Sequence, residues 1–244
     1  MKSFLVEAFT SVPGEGPLVG CRQVFLRFAG CNLACRFCDT EHAPSALARV
    51  ERTPGERDFI AVPNPVSVQE MIDLVARLNP AACHSLVLTG GEPLVHADFL
   101  REFLPLAPPT RHGVYLETNG TLCDALSRVL DLVDFIAADV KLPRACGAGD
   151  LFAEHRRFLT LARKKLLCVK AVISGETTEE EMDRLAGLVA QVCPETVLIL
   201  QPVTPAGGVP PVPPARALTL QRRALAQARD VRLIPQTHHI MGQL

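Results

Sequence analysis

The sequence has almost no net charge: 25 Lys and Arg against 26 Asp and Glu leave -1 over 244 residues. No electrostatic footprint of a nucleic-acid or anionic-membrane binder results, so neither partner is expected. There is no run of about 18 apolar residues, which excludes an ordinary membrane-spanning helix. Internal repeats and low-complexity tails are also missing, which removes solenoid architectures. The opening MKSFLVEAFTSVPGEG has one Lys and only a short apolar run before Glu7, fitting a first strand better than a secretory leader. A cytoplasmic protein is expected.

What is present is an alternation. Aliphatic or β-branched runs at Val24 to Phe28, Leu86 to Leu88, Val114 to Leu116, Phe135 to Ala138, Leu167 to Ile173, Val197 to Leu200 and Val231 to Ile234 read as strands. Between them, apolar residues at three- and four-residue spacing predict helices at Val68 to Leu78, Ala97 to Leu104, Leu122 to Leu132, Phe152 to Leu161, Glu179 to Val192 and Leu218 to Ala228. Such alternation implies mainly parallel strands with helical crossovers, hence an α/β protein built as an open or closed β/α barrel. The length suits a single domain over residues 1–244. Two stretches break the rhythm, about 41–65 and 202–214, and their Pro content predicts irregular surface loops.

Nine cysteines are too many to ignore in a chain long enough to need no disulfides. Three of them, Cys31, Cys35 and Cys38, follow the strand VFLRFAG directly. That places them in a loop at the carboxyl end of a barrel strand, where barrel active sites are built. A structural zinc would want a fourth Cys or His, and His42 is the only local candidate. An iron–sulfur cluster held by three thiolates instead keeps one iron open to a ligand. The other six cysteines read as isolated, mostly buried small hydrophobes. His155-Arg-Arg157, Lys164-Lys165 and Arg222-Arg223 read as solvated helix faces.

The pattern Cys31-x3-Cys35-x2-Cys38, with Phe37 before the last cysteine, resembles the radical S-adenosylmethionine (SAM) superfamily. Leu88-Thr-Gly-Gly-Glu-Pro93 resembles that superfamily's Gly-Gly-Glu motif. Five further segments resemble the 7-carboxy-7-deazaguanine synthase family: Pro13 to Gly16, Arg27 to Asn32, Cys38 to Thr40, Glu117 to Gly120 and Gln236 to His238. The resemblance implies a partial, open β/α barrel and the cofactors [4Fe–4S], SAM and Mg²⁺. It implies a lyase reaction of queuosine and deazaguanine biosynthesis, in which 6-carboxytetrahydropterin becomes 7-carboxy-7-deazaguanine with loss of ammonia. It also implies an electron donor such as flavodoxin or ferredoxin, and a homodimer.

By the same resemblance, Cys31, Cys35 and Cys38 would ligate the cluster and Thr40 would ligate Mg²⁺. Phe37 to Asp39, Gly91, Glu92, Asp139, Lys141 and Gln201, Pro202, Val203 and Thr204 would line SAM. Val12, Pro13, Gly14, Arg27, Thr89 and Leu244 would meet substrate, with Arg27 pairing its carboxylate. Arg suits that task because its planar fork matches a carboxylate bidentately. Two departures stand out: Pro13 where the family usually has Gln, and Asp139-Val-Lys141 where Ser-Pro-Lys is common. The Asp-x-Lys form is reminiscent of glycyl-radical activating enzymes, which are the alternative reading. An electron-transfer iron–sulfur protein is the non-enzymatic one, opposed by the missing fourth ligand. The tail after Gln236 has no helical period and reads as frayed.

Overall fold

The computed structural model describes residues 1–204 and 207–244. Strands β1 (Lys2–Ser3), β2 (Leu5–Ser11), β3 (Gln23–Phe28), β4 (Leu47–Glu51), β5 (Phe59–Pro63) and β6 (Val66–Ser67) lead into helix α1 (Val68–Arg77). Strand and helix then alternate through β7 (Leu86–Gly90), α2 (Ala97–Phe103), β8 (Val114–Thr118), α3 (Cys123–Val129) and β9 (Phe135–Asp139). The short α4 (Pro143–Cys146) and α5 (Phe152–Ala162) precede β10 (Leu166–Ile173), α6 (Glu179–Val192), β11 (Val197–Pro202), α7 (Pro214–Leu225), β12 (Val231–Leu233) and α8 (Thr237–Met241). Helices α1 and α6 start at capping boxes, Ser67 with Glu70 and Thr178 with Glu181, each serine or threonine hydroxyl accepting from the glutamate N–H.

Ten strands form one sheet in the order β12-β11-β10-β9-β8-β7-β3-β2-β4-β5. The run from β3 through β7 to β12 is parallel throughout. Strand β2 pairs antiparallel with β3, and β4 antiparallel with β5. The end strands β12 and β5 are not neighbours, so the barrel is open. Alternation along each strand divides the side chains between two faces. Phe9, Phe25, Val87, Tyr115, Ala137, Cys168 and Ile199 cluster on one face, while Leu26, Leu88, Leu116, Ile136, Val169 and Leu198 join the larger core under the helices. Register then fixes the site: Arg27 lies opposite Thr89, and Lys170 opposite Asp139, so polar side chains fall in a row at the carboxyl ends.

Three expectations need correction. The stretch 41–65 is not an irregular loop, because it contains the hairpin β4–β5. Ala48 and Val50 alternate inward to the core; residues 41–46 remain irregular, and the turn near Gly55 is held by the Asp58 carboxylate accepting from Arg52 and Thr53 N–H. The carboxyl tail is not frayed: α8 is tied down by the Thr237 N–H donating to the Gly14 carbonyl at 2.9 Å. His155 is not on a solvated face but is 1% exposed. The stretch 202–214 begins with the last residue of β11 and ends with the first of α7, and positions 205 and 206 lie outside the described residues. No helix among the described residues is long and apolar enough to cross a membrane.

Candidate active site

A cavity of about 750 Å³ opens at the carboxyl ends of the parallel strands. Cys31, Cys35 and Cys38 all reach it from the loop after β3. That loop is shaped by its neighbours. The Cys31 sulfur accepts from the Leu33 N–H at 3.4 Å and from Asn119 Nδ2 at 3.9 Å, and the Arg36 N–H donates to the Cys146 carbonyl at 2.8 Å. Gly90 and Gly91, at the end of β7, let backbone meet backbone. A Cβ on Gly91 would lie 2.1 Å from the Gly30 carbonyl and 3.0 Å from Cys31 Cβ, and Gly90 has φ of 132°. No other residue fits either position.

Glu92 follows immediately but faces away from the cavity. It is completely buried, and its carboxylate accepts from Asn119 N–H (2.7 Å), Leu94 N–H (3.0 Å) and the Thr118 hydroxyl (3.0 Å). Burial raises its pKa to about 7 even though those donors pull it down. Its role in this geometry is to clamp the ends of β7 and β8 together.

A row of half-buried charge crosses the floor. Lys141 lies 2.9 Å from Asp139 Oδ2, Lys170 lies 3.3 Å from the same oxygen, and Lys170 also pairs with Glu15. Glu15 Oε1 further accepts from Gln201 (3.1 Å) and Gln236 (2.7 Å). Burial pushes the Glu15 carboxyl up, but the charge and hydrogen bond of Lys170, with help from Gln236 and His238, pull it down to about 2. Asp139 is likewise held below its ordinary range: burial opposes ionisation, and Lys141 and Lys170 outweigh it. Burial lowers the pKa of Lys141, and Asp139 raises it by more. The Lys141 ammonium also sits 5.2 Å from the Phe37 ring centroid. Two buried acceptors, Asp139 Oδ1 and Gln201 Oε1, have no hydrogen-bond partner among the described residues.

His155 fixes the backbone beneath this row. Its Nε2 accepts from the Lys141 N–H at 3.0 Å, so Nδ1 carries the proton and donates to the Gly120 carbonyl at 3.1 Å. Burial lowers its pKa to about 4, keeping the ring neutral. On the opposite wall, Arg27 Nε donates to Glu7 Oε1 at 2.9 Å, and its guanidinium lies 5.8 Å from the Phe9 ring centroid. Glu117, also on the cavity wall, has its pKa raised by burial and by the neighbouring Glu15 carboxylate.

Of the residues expected at the site, all line this one cavity except Val12, Glu92 and Pro202. Two backbone acceptors in the expected substrate loop are already engaged: Gly14 by Thr237 and Pro13 by Gly20. Thr40 donates its hydroxyl to Asp39 Oδ1 at 3.3 Å. Sequence reasoning assigned no role to Glu15, Lys170, Asn119, Glu117 or His155. Glu15, Glu117 and Asn119 stood inside segments already singled out, whereas Lys170 is a lone charge in the apolar run LLCVKAVI. A lone charge in an otherwise apolar strand is the signal that could have marked it.

Comparison with known proteins agrees with this geometry. A model of the radical SAM superfamily matches residues 26–189. A curated 7-carboxy-7-deazaguanine synthase from Geobacter sulfurreducens is 45% identical over 98% of this chain and 97% of its own length. One of the same name from Methanothermobacter thermautotrophicus is 31% identical over 99% and 98%. Among solved structures, QueE from Escherichia coli superimposes with a TM-score of 0.59 at 21% identity, covering 98% of this chain and 95% of its own. A radical SAM methyltransferase from Sphaerobacter thermophilus gives 0.60 at 15% identity, over 91% and 67%. At those identities the two structures speak for the fold alone.

Proposed function

We propose that this chain, which belongs to the radical SAM superfamily and within it to the 7-carboxy-7-deazaguanine synthases, converts 6-carboxytetrahydropterin to 7-carboxy-7-deazaguanine with loss of ammonia. Its cofactors are accordingly a [4Fe–4S] cluster, SAM and Mg²⁺. When bound, cluster and SAM together supply a reactive organic radical, and Mg²⁺ supplies a hard cation.

The donor set fits these groups. Three cysteines from one loop reach the cavity, yet among the described residues no three His, Cys, Asp or Glu side chains gather to hold a single ion. That spread suits a cluster, whose ligands sit on separate irons, better than tetrahedral zinc. The unpartnered Asp139 Oδ1 and Gln201 Oε1 offer buried acceptors to the hydroxyl and amino donors of SAM, and Gly91 leaves room for a close approach. Thr40 with Asp39 offers hard oxygen to Mg²⁺.

The chain's own residues then orient and protonate. Arg27, steadied at Nε by Glu7, presents the rest of its fork to the substrate carboxylate. Orientation matters because a reactive radical takes whichever hydrogen is nearest. Glu117, pushed up by burial and Glu15, is suited to hold a proton for the departing ammonia. The same reading takes the reductant to be a flavodoxin- or ferredoxin-type protein, the assembly to be a homodimer and the location to be the cytoplasm. The full-length relatives carry the synthase name, so the activating-enzyme reading is not favoured.

The convergence of the cysteine triad, Arg27 and Thr40 on one cavity supports this reading most directly. Anaerobic incubation of reconstituted protein with SAM, a reductant, Mg²⁺ and 6-carboxytetrahydropterin should yield the deazapurine by mass spectrometry. SAM cleavage without any deazapurine would retain the superfamily chemistry and reject the substrate.

A further inference from the structure

Cys146 read as one of six isolated cysteines, but the fold brings it to the cysteine loop. Its sulfur is 3.1 Å from that of Cys35, 111 positions earlier in the chain. Two rigid pieces of backbone hold the contact. The Arg36 N–H donates to the Cys146 carbonyl at 2.8 Å, and the Arg36 guanidinium donates to the Arg144 carbonyl at 3.2 Å, so the loop is fastened to α4 on both sides of Cys35's neighbour. Gly147, which ends α4 with φ of 75°, completes the fit, since a Cβ there would meet Arg36 Cδ at 2.7 Å. A shift of about an ångström would bring the two sulfurs to bonding distance.

Access to the two thiols differs. Cys35 is half-buried on the cavity wall, whereas Cys146 is completely buried behind it. A solute in the cavity therefore meets Cys35 first, and Cys146 is the nearest group able to resolve what forms there. We propose that in the cluster-free chain Cys35 and Cys146 form a reversible disulfide, closed by a low-molecular-weight disulfide such as oxidised glutathione, which withholds Cys35 from iron until it is reduced. This inference rests on the assignment of Cys35 as a cluster ligand.

The step balances as two thiol–disulfide exchanges. The Cys35 thiolate attacks one glutathione sulfur, forming a mixed disulfide and releasing one glutathione thiolate. The Cys146 thiolate then attacks the Cys35 sulfur, closing the internal bond and releasing the second. Both cysteines are oxidised, one oxidised glutathione is reduced to two thiols, and the two protons lost by the cysteines end on them. A bound cluster occupies the Cys35 sulfur, so the bridge and the cluster exclude one another.

The test uses the full chain freed of iron and fully reduced. After exposure to oxidised glutathione, blocking of free thiols and digestion, tandem mass spectrometry should find a bridge between Cys35 and Cys146. The oxidised chain should lose most of its capacity to take up iron and sulfide, and dithiothreitol should restore it. Cys146→Ala should instead accumulate a glutathione adduct at Cys35, because nothing remains to resolve it. The bridge map in the unaltered chain decides the matter even if that variant folds poorly. Bridges confined to Cys31, Cys35 and Cys38, or a Cys146 blocked as fully after oxidation as before, would overturn the proposal. Failure of the reduced chain to take up iron would count against the cluster assignment, and the bridge map would still decide on the thiol pair.

Discussion

Lys170→Met would remove the ammonium that lies between two half-buried carboxylates, Glu15 and Asp139. Met is of similar length and flexible enough to fill the space, so packing is largely kept. Asp139 would retain Lys141 at 2.9 Å, but Glu15 would be left with the amides of Gln201 and Gln236 alone. Glu15 titrates at about 2 in the fold against an ordinary 4.5, a gap worth about 3 kcal/mol of stability. Its side chain is 22% exposed and that of Lys170 15%, so solvent screening takes little from this figure. Because the folded value is the lower one, the contribution is complete above pH 4.5 and is lost as pH falls toward 2. Gln236 and His238 supply part of that gap and remain, so at pH 7 the variant should be less stable by up to about 3 kcal/mol, which lowers Tm by at most roughly 6–12 °C in a chain of this size. Thermal and urea unfolding of the cluster-free protein, followed by circular dichroism, would measure it. The deficit should shrink in acid, and adding Glu15→Gln should recover part of it by removing the stranded carboxylate. A deficit unaffected by pH and by Glu15→Gln would refute the reasoning, as would unchanged melting at pH 7.

Arg27→Lys should raise KM for the pterin by about tenfold or more, a loss of about 1.4 kcal/mol, because an ammonium cannot form the paired fork. SAM cleavage without substrate should persist, and unchanged steady-state kinetics would remove Arg27 from the carboxylate site. Thr40→Val, nearly isosteric but lacking the hydroxyl, should abolish the stimulation of turnover by Mg²⁺ while leaving SAM binding intact. Turnover indifferent to both the substitution and a chelator would leave Thr40 as a turn residue.

How much of this was legible depends on where the signal lies. The parallel strands were readable because strands buried on both faces must be nearly all apolar, as in Leu86 to Leu88 and Val197 to Leu200. Strand β4 escaped because LARVE has only two residues in the larger core, Ala48 and Val50, and sits amid polar and Pro-containing sequence. Helix α7 begins at Pro214, four residues before its apolar period, since Pro suits a first helical turn. In the site, the cysteines and glycines were readable because local spacing carries their chemistry. Lys170, His155 and Cys146 were not, because their partners Glu15, Gly120 and Cys35 lie 155, 35 and 111 residues away. Only register and packing bring such pairs together.

The two departures from the family pattern show the same division between local and distant causes. Pro13 removes an amide side chain from the cavity, yet the loop around it is held by other means. Gly14 packs so tightly on α8 that a Cβ would lie 2.3 Å from the His238 nitrogen, and its carbonyl takes the Thr237 N–H. Residue 13 can therefore change without loosening the loop. Asp139 differs in kind. It faces two ammonium groups, Lys141 and Lys170, within 3.3 Å of one oxygen. A serine there would offer no charge to either, and the two half-buried lysines would repel with less screening than in bulk water. The aspartate is thus matched to Lys170, a residue thirty-one positions later on the neighbouring strand. Read with that partner, Asp139-Val-Lys141 reflects how this barrel balances its interior charge, and it no longer argues for an activating enzyme's substrate.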